Sequence, residues 1–240
     1  MQLKDMDIIY PYKLDGLNGR ELKYSLRSIA KNVPHRNVIL IGEAPSRINK
    51  DTVRVIPFED NLDTKYLNVR WKLMRIFHDD TISKNFIWMN DDMLVMQPIT
   101  DIPPYSWWTL AFHAEKVNKR SWPSPYYEIL KKTDKLCHNE GFSYEVHVPF
   151  IFNKDKLMSL FDEYENELEG CAIRSVYWNK FCKPVFFEEE FGRTDCKSYS
   201  WRLDELGDLN NITYISTYDE VKYAYAKRLD SKLEKCIYEL

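Results

Sequence analysis

Residues 86–99 read FIWMNDDMLVMQPI. Three adjacent polar side chains, Asn90, Asp91 and Asp92, interrupt a run that is apolar on both sides, and burying them without partners would be costly. Two neighbouring carboxylates are hard oxygen donors of the kind Mg²⁺ or Mn²⁺ takes, an ion that completes its shell with substrate phosphates. Asp also favours plain turns, where its carboxylate bonds the local backbone. The apolar residues that resume directly after Asp92 favour a crevice over a turn facing solvent, so Asp91 and Asp92 are read as metal ligands, Asp92 also as catalytic, with Asn90 beside them.

Other side chains could join this chemistry. His147, in YEVHVPFIF, is either a core histidine or, as an imidazole, a metal ligand or a contact to a donor phosphate. Glu43 follows NVILIG and could accept from a ribose hydroxyl or a base N–H, or simply close a turn. Lys72, flanked by Arg70 and Arg75 in NVRWKLMRI, could reach a phosphate or lie on a solvated helix face. GCAIRSVYWNKF offers Arg174, Tyr177 and Asn179, Arg174 being counted among the donor-binding groups. FGRTDCKSYSW offers Asp195, as a third carboxylate or a catalytic base, and Lys197, which could neutralise a leaving diphosphate.

The elements that must position these groups alternate in type over the first ninety residues. Residues 7–13 read as a strand. Residues 19–33, with Leu22, Leu26, Ile29 and Val33 at helical spacing, read as a helix. Residues 37–43 and 53–58 are strands, 64–79 a helix and 86–90 a fourth strand. Such alternation predicts an α/β fold with a mainly parallel sheet and helices on both faces. With the first strand central and the second and third on one side of it, the fourth returns to the free side. Ligands then bind beyond the carboxyl ends of the strands at that switch point, where Asn90–Asp92 sit opposite the loop 11–18.

The second half is less regular. Residues 106–116, holding Trp107 and Trp108, read as a strand. Residues 116–135 read as a Pro-, aromatic- and Lys-rich loop whose rings suit sugars and whose cations suit an anionic acceptor. VHVPFIF is a strand leading into a helix from Asn153 or Asp155, 212–217 a strand, and 218–238 a closing helix. The whole chain is expected to form one domain, with halves 1–100 and 101–240.

Composition narrows the function classes. The 240 residues, 44% hydrophobic, bury a full core. Thirty-four basic against 37 acidic residues leave a formal charge of -3, so no global field advertises nucleic acid or an anionic membrane. Five cysteines without a CxxC pair suit reduced thiols. No apolar run reaches the length of a membrane span and MQLKDMDIIY does not read as a signal peptide, which leads to the expectation of a cytoplasmic protein without an integral membrane segment.

GRELKYSLRSIAKNVPHRNVILIGEAPSRIN, then VRVIPFEDN, then FIWMNDDMLVMQPI resemble blocks of the Stealth family of polysaccharide phosphotransferases and of related GT-A glycosyltransferases, over about residues 7–99. The resemblance implies a GT-A fold with Asp91 and Asp92 at a metal-diphosphate site. It further implies that Tyr10, Pro11 and Tyr12 line a nucleotide pocket, that Arg20, Glu21 and Arg27 belong to the helix block, and that His147 stands in an H-x-P element. Stealth proteins carry a VYTWVDG-like start and a long insertion where IIYPYKLDG here runs almost directly into GRELKYS, which favours the smaller glycosyltransferase form. The activity the resemblance implies is Mn²⁺- or Mg²⁺-dependent transfer from a nucleotide sugar, a UDP-sugar first, to a glycan acceptor, residues 1–100 binding the donor and 101–240 the acceptor. The alternatives are sugar-1-phosphate transfer, glycosylation of a nucleic-acid base, and a non-catalytic sugar-nucleotide-binding module.

Overall fold

The computed structural model describes residues 2–14, 19–106, 108–119, 125–186, 195–197, 212–216, 227 and 229–240. Its first elements are β1 (Asp7–Pro11), α1 (Arg20–Asn32), β2 (Val38–Ile41), β3 (Val53–Ile56), α2 (Lys65–Met74) and β4 (Asn85–Trp88). They are followed by β5 (Met93–Val95), β6 (Tyr105–Ser106), β7 (Trp108–Thr109), α3 (Leu110–Asn118), α4 (Pro125–Leu136), β8 (Phe142–Ser143) and β9 (Phe150–Asn153). The last are α5 (Lys154–Tyr164), α6 (Ile173–Phe181), β10 (Val185–Phe186), β11 (Asp195–Lys197) and β12 (Tyr214–Ser216).

Apart from Asp7 and Asn85 at their first positions, strands β1, β2 and β4 are apolar runs, as suits strands inside a sheet covered on both faces. The main sheet runs β3-β2-β1-β4-β9, parallel except for β9, which pairs antiparallel with β4. Ile8 faces Val38 on one side and Ile87 on the other, so β1 is central and the order reverses between β2 and β4. The switch point expected from the sequence is therefore present. Where β1 and β2 end, Gly42 has φ +149 and a Cβ there would stand 2.0 Å from the carbonyl oxygen of Tyr12, so only glycine lets the two chain ends approach this closely.

Below the sheet, Asp7 is buried at the start of β1 and accepts from Arg36 (2.8 and 2.5 Å), Asn37 (2.9 Å) and the Ser83 amide (2.7 Å). Above it, β5 pairs antiparallel with β12, which pairs parallel with β11. Helix α1 covers the other side of β5 with a polar stripe. Ser28 Oγ accepts from the Val95 amide (3.0 Å), Asn32 Nδ2 donates to the Val95 carbonyl (2.7 Å), and Ser25 Oγ donates to the Met93 carbonyl (2.6 Å). These side chains satisfy backbone groups that a short strand would otherwise leave unpaired in the interior.

Four expectations are corrected. Residues 106–116 are not one strand, because the chain turns at Thr109, whose hydroxyl accepts from the Phe112 amide (3.3 Å) and caps α3. The stretch 116–135 is no solvated loop from 125 onward: Ile129, Leu130 and Thr133 share a buried face of α4, which packs on α3. Most of the expected closing helix 218–238 lies outside the described residues, and its last part, 231–238, is turn and coil rather than helix. The strand expected from Val146 begins only at Phe150. Cys137, Cys171, Cys182 and Cys236 are free thiols, and Cys196 belongs to β11.

Candidate functional site

The carboxylates follow β4 because the chain reverses there, the Met93 amide donating to the Asn90 carbonyl (3.2 Å). Turn and crevice are thus the same place. His147 Nδ1 stands 3.1 Å from Asp92 Oδ2, joining residues 55 positions apart. Both side chains keep partial access to solvent, 29% for His147 and 20% for Asp92. Asp91 lies close enough to Lys72 to favour its charged form.

A cavity of about 440 Å³ opens beside this pair, walled by Tyr66, Trp88, Asn90, Tyr126, Glu145, His147 and Arg174. Aromatic rings and charged groups share its wall. Arg174 donates to the Val146 carbonyl (3.0 Å) and to Glu145 (3.2 Å), with its guanidinium 4.5 Å from the centre of the Phe150 ring. Burial pushes the Tyr66 phenol up to about 12, aided by the Glu145 charge, so it stays a neutral hydrogen-bonding group. On the far side of α2 a groove of about 540 Å³ runs past the ends of β2 and β3, holding Glu43, Phe58, Trp71 and Arg75. Trp71 is 48% exposed there.

The remaining expected residues fall in four groups. Tyr10 and Tyr12 are fully buried, not on a pocket wall, and only Pro11 of that trio is partly exposed. Tyr10 hydrogen-bonds Ser25 (2.9 Å), and burial drives its phenol far above the usual range. Lys72 is not on a solvated helix face. It is 2% exposed, donates to Asp60 (2.6 Å) and the Tyr12 carbonyl (2.7 Å), and its pKa is lowered by burial, against the pull of Asp60. Tyr177 and Asn179 are structural: the Tyr177 hydroxyl accepts from the Asn153 amide (2.9 Å), and the Asn179 side chain pairs with the Phe142 backbone (2.8 Å both ways). Asp195 and Lys197 lie on β11, their side chains outside the described residues. Its register sets the Lys197 backbone level with Ser216 and, across it, Met93, next to Asp92. Asp195 is level with Val95, two residues further along.

Among the described residues no group of three His, Cys, Asp or Glu side chains gathers as a metal would require. The donor pair that does meet is the Asp92 carboxylate and the His147 imidazole, with Asp91 next to it in sequence. It suits Mn²⁺ or Mg²⁺ shared with substrate phosphates rather than a fully protein-held ion. Glu145, Tyr66, Tyr126 and Trp71 were not singled out from the sequence. For Glu145 a signal existed: it is an acid two residues before His147, next to the run VHVPFIF.

The class defined by this architecture is the GT-A glycosyltransferase fold. Among solved structures the chain is similar to the galactosyltransferase LgtC in complex with donor and acceptor sugar analogs, with a TM-score of 0.52 at 12% identity over 96% of this chain and 97% of that one. It is also similar to the bifunctional glycosyltransferase WbbM, TM-score 0.55 at 11% identity, covering 96% of this chain and 50% of that one. At such identities the likeness is one of fold. In sequence the chain is 25% identical, over 163 residues, to an exopolysaccharide phosphotransferase of Streptomyces coelicolor; the match takes in 60% of this chain and 28% of the relative. No protein-family profile matches the chain. Among the described residues no helix is long and apolar enough to cross a membrane.

Proposed function

We propose that the chain is a glycosyltransferase acting on a nucleotide-sugar donor, a uridine nucleotide being the first to test. The observation that carries this reading is the Asp92–His147 contact at the switch point, open to the aromatic and ionic cavity. The nucleoside lies in the groove with Glu43 as hydrogen-bond acceptor and Trp71 as a stacking face. The diphosphate crosses the Asn90–Asp92 turn, and the donor sugar and glycan acceptor meet in the cavity beside Arg174. The first hundred residues thus serve the donor and the rest mainly the acceptor. Asp92 and His147 would hold a divalent cation, with Asp91 beside them. When bound, the ion offsets the charge that develops on the leaving diphosphate. Arg174 adds a fixed positive charge at the cavity wall, and Lys197 is the strand residue best placed by register to reach the diphosphate. Asp195 remains the candidate base for the acceptor hydroxyl.

A second reading, transfer of a sugar-1-phosphate, is favoured by the sequence similarity to an exopolysaccharide phosphotransferase. Here the acceptor attacks phosphorus rather than the anomeric carbon. Analysis of the spent nucleotide separates them. Nucleoside diphosphate supports glycosyl transfer, monophosphate supports phosphotransfer, and turnover of no nucleotide sugar with either cation contradicts both.

A further inference from the structure

Residues 144–149 carry His147 yet form neither helix nor strand. Their position is set by the first turn of α6. Ser175 Oγ accepts from the Tyr144 amide (3.1 Å) and donates to Glu145 Oε1 (2.9 Å), while Arg174 donates to Glu145 Oε2 (3.2 Å) and to the Val146 carbonyl (3.0 Å). Three consecutive residues before His147 are thus held by two adjacent residues of one helix. Tyr144 also sets its ring against Trp178 of the same helix, and Glu145 is held by side-chain hydrogen bonds, its carboxylate bridging both helix residues. The pair is mostly shielded, with Arg174 17% and Glu145 11% exposed, so its geometry is not smeared by water. A carboxylate at the first turn also suits the helix dipole.

From this we infer that Glu145 is a positioning residue: it fixes the Arg174 guanidinium at the cavity wall and, through the 144–146 backbone, sets His147 against Asp92. The inference rests on the reading that an anionic donor binds at this turn. It explains why a carboxylate stands in a cavity meant for a diphosphate sugar. Glu145 is already spent on Arg174 and Ser175, and it orders the cation that faces the ligand.

Two measurements on the full chain test it. In ligand-free protein, the His147 ring cross-peak in a carbon–proton spectrum is assigned by its absence from His147→Ala. Glu145→Gln, which keeps shape and the Ser175 contact, is expected to shift that peak while melting close to wild type. Should Glu145→Ala fail to fold, the Gln variant still carries the test. Calorimetric titration with UDP and Mn²⁺ is expected to show about tenfold weaker binding for Glu145→Gln, or ~1.4 kcal/mol. Guanidinium ion added to Arg174→Ala is expected to restore UDP affinity when Glu145 is present and not in the Glu145→Gln/Arg174→Ala double variant. An unmoved His147 peak overturns the inference whatever becomes of the nucleotide reading, as do wild-type UDP affinity in Glu145→Gln or rescue of the double variant. Wild-type protein that fails to bind UDP with Mn²⁺, alongside a shifted peak, overturns the nucleotide reading and leaves the positioning role supported.

Discussion

Asp92 and His147 are brought together from opposite halves of the chain, 3.1 Å apart at the turn after β4. Replacing Asp92 by Asn keeps the size and removes the charge, so donor turnover is expected to vanish while the melting curve holds; a collapsed curve would make the acid structural. His147→Ala is expected to lower turnover at least tenfold, about 1.4 kcal/mol of barrier, in steady-state kinetics. Trp71→Ala is expected to raise the donor KM severalfold with kcat nearly unchanged, the mark of lost uniform binding. The NDD turn and His147 were legible because polar groups inside apolar runs violate the local pattern. Trp71 was not, because an aromatic residue at helical spacing reads as core, and only the packing shows that it faces a groove. Tyr10 went the other way. Its place at a strand end suggested a pocket wall, while its hydroxyl finds Ser25 in the interior.

At the scale of elements, the helix block and the NDD segment are physically one device. The sequence marked Leu22, Leu26 and Ile29 as the apolar face of α1. It did not disclose that Ser25, Ser28 and Asn32 form a second stripe whose partner is β5, since a three-residue strand has no periodicity to read. Asn32→Ala leaves the Val95 carbonyl without its side-chain partner and is expected to destabilise by about 1–3 kcal/mol in urea unfolding. Lys72 ties α2 to the end of β1 and to Asp60, and its burial was hidden because one lysine in a mixed helix looks solvated. Lys72→Ala leaves Asp60, itself 10% exposed, without its cation, and is expected to cost about 3–5 kcal/mol. α3 and α4 escaped the sequence for a different reason: aromatic and Pro-rich stretches mimic strand and loop, and the cap at Thr109 decides the matter locally.

Across the whole molecule, the parallel order was legible because alternation and right-handed connections leave few arrangements, whereas the β5–β12–β11 sheet joins segments too short and too distant to pair by inspection. Two buried carboxylates tie remote parts of the chain. Burial alone would raise the Asp7 carboxyl, but hydrogen bonds from Arg36, Ser83 and Asn37 outweigh it and hold it below the usual range. Glu239 is likewise held down, burial opposing and Arg27 prevailing at 2.7 Å, which fastens the C-terminal residues to α1. Groups with depressed pKa values stabilise above their unfolded values, about 3.9 and 4.3, and lose that contribution as pH falls through the folded ones. The urea midpoint is therefore expected to fall below about pH 4, less steeply in Asp7→Asn.

The central claim, that a nucleoside diphosphate runs from the groove past β2 and β3 to the Asn90–Asp92 turn and binds there together with a divalent cation, is tested most directly by the melting temperature of the purified chain with UDP, with and without Mn²⁺. Binding to the native state adds RT ln(1 + [L]/Kd), so UDP at about a hundred times its Kd is expected to add roughly 2.7 kcal/mol, a clear upward shift. That shift is expected only when cation and nucleotide are present together and is expected to be lost in Asp92→Asn. No shift with UDP or any other nucleoside diphosphate, or an equal shift without the cation and in Asp92→Asn, would contradict the account.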